Sequence, residues 1–359
     1  MPYPLCPEPY ALCPRLMPCA LAEEELKRGE IRMKIIDSHA HISAPQVIRE
    51  FPEGSWRQDL VPKEGTRALR KSSLKAHLER IDIGIISEDM KQMGVDLLAI
   101  SPPPSLFFYE ESPDRGLRAA QIQNDVIAGL SKEHPDRFVG LAVVPLQDVP
   151  RAVGELKRAV NDLGLRGVAI GSSVQGVHMG NPSFVPFWEA VADMDLFVFI
   201  HPTFVRTYDI KTLAPYHLHN LFGNPMETGL AAADLVFSGI FERQPGLKIM
   251  LAHGGGVMPW LKGRWVHGYN MRPEPKTHLR GSPIESINKF YVDTIIHDPR
   301  ALLYLVESFG ADHILLGSDF PAPMGPEFPV KEVEEIDIPR EDKIKILGGN
   351  AARLMRLNL

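Results

Sequence analysis

The residues of this chain best suited to chemistry are histidines and aspartates that interrupt or close apolar runs. In the run at 34–42 (KIIDSHAHI), Asp37, His39 and His41 recur at period two, so on a strand all three point to one face. His201 closes a second run as His-Pro, and His253 opens a His-Gly-Gly-Gly stretch after a third. Asp293 and His297 end a fourth run, and Asp319 ends a fifth. Two imidazoles two residues apart on a strand lie roughly 6.6 Å apart along the backbone, close enough to share one cation. Adding His201 and Asp319 gives three histidines and one carboxylate, a set that suits one divalent ion, Zn2+ first. A position left open on such an ion would hold water and lower its pKa to roughly 7. A second ion would need a further bridging ligand, commonly a lysine ending the fourth strand, and RGVAIGSS at 166–173 has none. One ion is expected.

His253 is then left for proton transfer, since imidazole titrates near neutrality and the glycines behind it permit close approach. The alternative, with His253 as a ligand and Asp319 orienting from outside, stays open at this point. Asp37 is expected beneath the ion as an outer carboxylate that packs or caps. Asp293 is read as another outer group, and it and His297 either bind substrate or line the mouth. His297 is equally able to satisfy loop backbone. A carboxylated substrate needs cations, and arginine matches a carboxylate with a planar fork. Arg67 and Arg70 in TRALRKSSLK (66–75) and Arg272 in VHGYNMRPEP (266–275) are the candidates.

Side chains so far apart in sequence must be gathered by the fold. Eight apolar, β-branched runs lie at 34–42, 96–103, 137–146, 166–173, 196–203, 248–255, 290–298 and 313–321. Near-continuous runs of this kind suit strands of a parallel sheet buried on both faces. Helical spacing fills the gaps, at 86–93, 119–130, 153–163, 182–194, 227–245 and 299–310. Eight such units predict an α/β fold, a single-domain (β/α)8 TIM barrel over 33–359, which gathers its strand C-termini at one mouth. The alternative is an open doubly wound sheet, but no G-x-G-x-x-G follows any strand.

Composition narrows the rest. Lys and Arg number 39 against 45 Asp and Glu, a net charge of −6, so no global basic field recruits nucleic acid or an anionic membrane. No run of eighteen apolar residues is present, so no transmembrane helix is expected. Cys6, Cys13 and Cys19 are the only cysteines, all within the proline-rich stretch 1–32. The body therefore has no disulfide framework, thiolate metal site or cysteine nucleophile. Residues 1–32 lack the basic and apolar regions of a secretory signal and read as a poorly ordered N-terminal extension, with Met33 as the natural start and the cytoplasm as the compartment.

Taken in order, DSHAHI, HP, AHGGG and GSDFP resemble the amidohydrolase-related family, in the branch of aminocarboxymuconate-semialdehyde decarboxylase. The resemblance runs from about Met33 to the C-terminus. Its later half is the more specific: SGIFERQPGLKIMLAHGGG, GRWVHGYNMRP, FYVDTIIHDP, ILLGSDFPAPMG and GGNAARLM. It implies one divalent ion, usually zinc, held by His39, His41, His201 and Asp319, with His253 as the acid/base. It also implies that Arg272 meets substrate carboxylate in a neighbouring subunit's site, hence a homodimer, and that Arg67, or else Arg70, does so from the segment between strands one and two. Two departures bear on substrate. That decarboxylase carries tryptophans in the loop after the fifth strand, where Asn220 falls near one expected tryptophan and Phe204 replaces another aromatic environment, and the segment from His41 to Ile86 is altered. The expected reaction is metal-dependent, non-oxidative decarboxylation of an unsaturated or aromatic carboxylic acid. The alternatives are hydrolysis of a lactone, amide or C–C bond, or hydration, by the same metal-activated water, and a catalytically silent binding barrel.

Overall fold

Parallel pairing runs through the whole sheet, and the computed structural model describes it over residues 33–51, 81–203 and 210–358. The N-terminal extension 1–32, Arg67, Arg70 and Phe204 lie outside the described residues. Strands β1 (Ile36–His41), β2 (Leu97–Ser101) and β3 (Phe138–Gly140) pair side by side. A second row holds β4 (Gly167–Gly171), β5 (Phe197–His201), β6 (Lys248–Leu251), β7 (Tyr291–Asp293) and β8 (Ile314–Leu315). Two isolated parallel bridges join the rows. Ala142 meets Val168 beyond the end of β3, and Ala40 meets Phe320 beyond the end of β8. The sheet thus closes on itself, and the (β/α)8 barrel is the fold.

Closure explains why the strands read as apolar on both faces. Val168, Ile170, Phe197, Val198, Phe199 and Ile200 are all fully buried, between the barrel interior and the surrounding helices. The helices follow the expected spacing with better-defined ends. Asp82, Asp148 and Asp298 accept backbone N–H groups at the starts of helices Ile83–Met93, Val149–Asn161 and Pro299–Phe309. The stretch 227–245, read as one helical segment, is two helices, Asn224–Phe237 and Ile240–Arg243. Gly239, at φ 71°, breaks it, a backbone conformation that a side chain would oppose.

Register then aligns the functional ends. His41 pairs with Ser101, Gly171 with His201, and Asp293 with Leu315, so the polar strand ends form one rim. Strand β8 stops two residues before Gly317, and His297 lies in the loop past β7 rather than on the strand. The C-terminal segment latches the closure. Leu316 donates its N–H to the Ile346 carbonyl, and the buried Asn350 amide donates to the carbonyls of Ala311 and Ile314. No helix among the described residues is long and apolar enough to cross a membrane.

Candidate metal centre

Asp319 is the focus of the rim. One of its oxygens, Oδ1, lies 3.3 Å from His39 Nε2, 3.3 Å from His41 Nε2 and 4.0 Å from His201 Nε2. Its other oxygen, Oδ2, lies 3.8 Å from His253 Nε2. β1 carries His39 and His41, β5 ends on His201, and His253 and Asp319 lie two and four residues past the ends of β6 and β8. Phe199, two residues before His201 on the same face of β5, forms the floor, with its ring centroid 4.6 Å from that of His39.

The outer nitrogens of the rings separate the histidines into two kinds. His39 Nδ1 meets Asp293 Oδ2 at 2.7 Å, His41 Nδ1 meets the Ser101 hydroxyl at 3.2 Å, and His201 Nδ1 meets the Pro202 carbonyl at 2.7 Å. With Nδ1 engaged, the Nε2 atoms of His39, His41 and His201 are buried and make no directed hydrogen bond. Buried polar atoms are rarely left so. Three converging imidazole nitrogens beside a carboxylate oxygen fit a divalent ion. His253 is built the other way, since its Nδ1 is the buried atom without a partner. Distance alone groups His39, His201, His253 and Asp319, whose ligand atoms lie within 4.8 Å of one another, and leaves His41 outside that group. The held outer nitrogens orient the His39, His41 and His201 rings with Nε2 inward, and His253 lacks such a hold.

Two buried carboxylates support the set. Asp37 accepts the N–H groups of His39 at 3.0 Å and Ser318 at 3.1 Å, together with the Ser318 hydroxyl, and so ties β1 to the end of β8. Asp293 accepts the N–H groups of His253, Gly254 and Ile295 in addition to the His39 ring. His253, His297 and Asp319 all have left-handed backbone, at φ 56°, 58° and 53°. Such strain in non-glycine residues collects at functional sites, where the surroundings hold it in place. Gly317 carries no side chain for a related reason, since a Cβ there would lie 3.0 Å from Asp293 Cβ and 3.1 Å from His39 Cβ.

Charge in the rim follows burial and neighbours. Burial pushes the His41 ring down, and burial with the nearby His253, His39 and His41 rings pushes His201 well below its ordinary value. Both shifts favour the neutral ring, whose lone pair is available to a cation. Burial opposes ionisation of Asp319, but His253, His39 and His41 around it outweigh this and hold its carboxyl well below the usual range. For His39, burial is outweighed by Asp293 and then Asp319, which raise it to about 10 in the absence of an ion. A cation held at Nε2 would compete with that proton, which would link loading to proton release. Burial raises Asp37 to about 6 despite the Ser318 hydrogen bond.

His39, His41, His201, His253 and Asp319 are therefore brought together, with Asp37 and Asp293 behind them. His297 is exposed, in the loop past β7, and its ring is pushed down by burial first and then by the neighbouring His253. Arg272 is elsewhere. It ends the helix Met258–Met271, its side chain is 67% exposed, and its fork rests on Glu274 at 2.5 and 3.1 Å. Ser101, Ser318 and Phe199 were not singled out from the sequence. Ser101 ends its apolar run with a polar residue, the same signal that marks His201, whereas Phe199 is an apolar residue in an apolar strand and gives none.

Residues 36–357 match the family model described as Amidohydrolase. The chain belongs to the amidohydrolase family. It is 38% identical over 273 residues to the 2-amino-3-carboxymuconate-6-semialdehyde decarboxylase of Dictyostelium discoideum, covering 76% of each chain. It is 31% identical over 280 residues to the 6-methylsalicylic acid decarboxylase of Penicillium expansum, covering 75% of this chain and 83% of that one. Among solved structures, the 5-carboxyvanillate decarboxylase LigW of Sphingomonas paucimobilis superposes with a TM-score of 0.78 at 25% identity, over 90% of this chain and 99% of that one. Within the family, the branch is that of aminocarboxymuconate-semialdehyde decarboxylase.

Proposed function

We propose that this protein is a metal-dependent, non-oxidative decarboxylase of an unsaturated or aromatic carboxylic acid. The observation that carries the reading is the division of labour in the rim: three buried Nε2 atoms and Asp319 converge, while the fourth histidine ring is held differently. The decarboxylase names of the three relatives support the same reaction class. His39, His41, His201 and Asp319 would hold one ion, Zn2+ by the chemistry of nitrogen and carboxylate donors. When bound, the ion supplies a Lewis acid that polarises a substrate oxygen and favours developing negative charge. His253 moves the proton, through the Nε2 that faces the centre, to the carbon that loses CO2. The C–C bond electrons stay on that carbon, the proton joins them, and CO2 leaves. Asp37 and Asp293 keep the ligands oriented, and His297 lines the mouth.

Carboxylate orientation falls to Arg67 and Arg272 in this reading. Arg272 lies at an exposed helix end with its fork on Glu274, a position suited to reaching the site of a second copy, and the protein would act as a homodimer. Purified protein carrying one zinc per chain should release CO2 from at least one acid in a panel of hydroxybenzoates and unsaturated dicarboxylates. Chelation should abolish release, and zinc should restore it more fully than manganese. Turnover to a hydrated or hydrolysed product without CO2 would overturn the lyase reading.

A further inference from the structure

We propose that Asp293 is a positioning residue that couples the two halves of the site, fixing the tautomer of the His39 ring and the backbone of His253 with one carboxylate. The inference rests on the reading of His39 as a metal ligand. Asp293 ends β7 and is fully buried. Its Oδ2 lies 2.7 Å from His39 Nδ1 and receives the His253 backbone N–H at 2.9 Å. Its Oδ1 receives the backbone N–H groups of Gly254 at 2.8 Å and Ile295 at 3.1 Å. Asp319 also faces both His39 and His253, at 3.3 and 3.8 Å, but through the two rings, whereas Asp293 holds the His253 backbone. Asp37 makes the comparable tie between β1 and the end of β8, through the His39 backbone and Ser318.

The chemistry of the four bonds is one-directional. An ionised carboxylate only accepts, so His39 must carry its proton on Nδ1 and present the Nε2 lone pair to the centre. Two successive N–H groups, from His253 and Gly254, aim at the same carboxylate because both residues have left-handed backbone, at φ 56° and 61°. For Gly254 that costs little, but for His253 it is strained, and the pair of charge-assisted bonds supplies the restraint. An amide at this position cannot replace the carboxylate. If its NH2 faces His39, the ring must accept at Nδ1 and hold its proton on Nε2, where the ion would bind. If the NH2 faces Gly254 and Ile295 instead, donors oppose donors.

Asp293→Asn is therefore expected to weaken zinc binding by about 10- to 100-fold, as losing such an outer partner does. It should also shift the backbone amide resonances of His253 and Gly254 and speed their hydrogen exchange in zinc-saturated protein. His39→Asn is the reference. If it binds zinc as wild type does, the metal-site reading itself fails. If it loses zinc while Asp293→Asn keeps wild-type affinity and unchanged His253 and Gly254 amides, the coupling fails. Should Asp293→Asn not fold, 15N-histidine spectra of zinc-loaded wild-type protein still decide. His39 protonated on Nδ1, with slowly exchanging His253 and Gly254 amides, is the expected result. A proton on Nε2, or amides exchanging as freely as exposed loop amides, would overturn the assignment.

Discussion

A metal-ligating histidine almost always has a hydrogen-bond partner on its far ring nitrogen, which orients the ring toward the metal. His39, His41 and His201 each have that partner in Asp293, Ser101 and the Pro202 carbonyl, whereas the buried Nδ1 of His253 has none. His41→Asn should therefore lower zinc content, and His253→Asn should leave zinc stoichiometry intact while reducing CO2 release by about 10²- to 10⁴-fold. Metal analysis beside a turnover assay reads both. Zinc lost from His253→Asn and retained by His41→Asn would exchange the two roles, as the 4.8 Å grouping by distance would have them. The polar residues of the rim were legible in the sequence because each breaks an apolar run at a strand end. What the sequence withholds is direction. No spacing reports which ring nitrogen faces inward, that Asp293 reaches both His39 and His253, or that Phe199 forms the floor.

At the scale of elements, the loop from His253 to Gly256 is built by its approach to the helix Asn224–Phe237. Gly256 stands at φ 61° with its missing Cβ only 2.2 Å from the Pro225 carbonyl oxygen, and Val257 donates its N–H to that same oxygen at 3.2 Å. A methyl there must displace the helix start or the loop. Gly256→Ala should destabilise the fold by about 1–3 kcal/mol and impair turnover as well. Gly263, on the exposed side of the helix Met258–Met271 with nothing within 4 Å of a built Cβ, gives the contrast. Gly263→Ala should stabilise by about 0.5–1 kcal/mol and leave turnover unchanged. Thermal melts of the two variants test the pair, and equal effects would refute the packing argument. The GGG stretch signals close approach in the sequence, but its partner at Pro225, some thirty residues earlier, does not. Strand lengths were less legible. The run at 313–321 holds only a two-residue strand, because Gly317 and Ser318 leave the ladder to turn Asp319 inward at φ 53°.

At the scale of the whole molecule, the barrel brings a floor, the candidate ligands and the candidate proton-transfer ring together from one chain, whereas the arginines expected to meet a carboxylate are not placed at the rim among the described residues. Arg67 and Arg70 lie outside the described residues, and Arg272 is turned to solvent on a helix end. If Arg272 serves a neighbouring copy, its loss and the loss of a metal ligand damage different sites of a symmetric dimer. His39→Asn and Arg272→Ala should each be nearly inactive as purified homodimers. In an equal mixture allowed to exchange subunits, half the dimers are mixed. Each mixed dimer has one site with an intact ligand set that receives an intact arginine from its partner. Activity should then return to about a quarter of the wild-type value, the statistical share of intact sites in an isologous dimer. Recovery near that value, with light scattering at dimer mass, places Arg272 in trans. No recovery after verified exchange would confine Arg272 to its own surface pair with Glu274, and the carboxylate would have to be met from within the same chain.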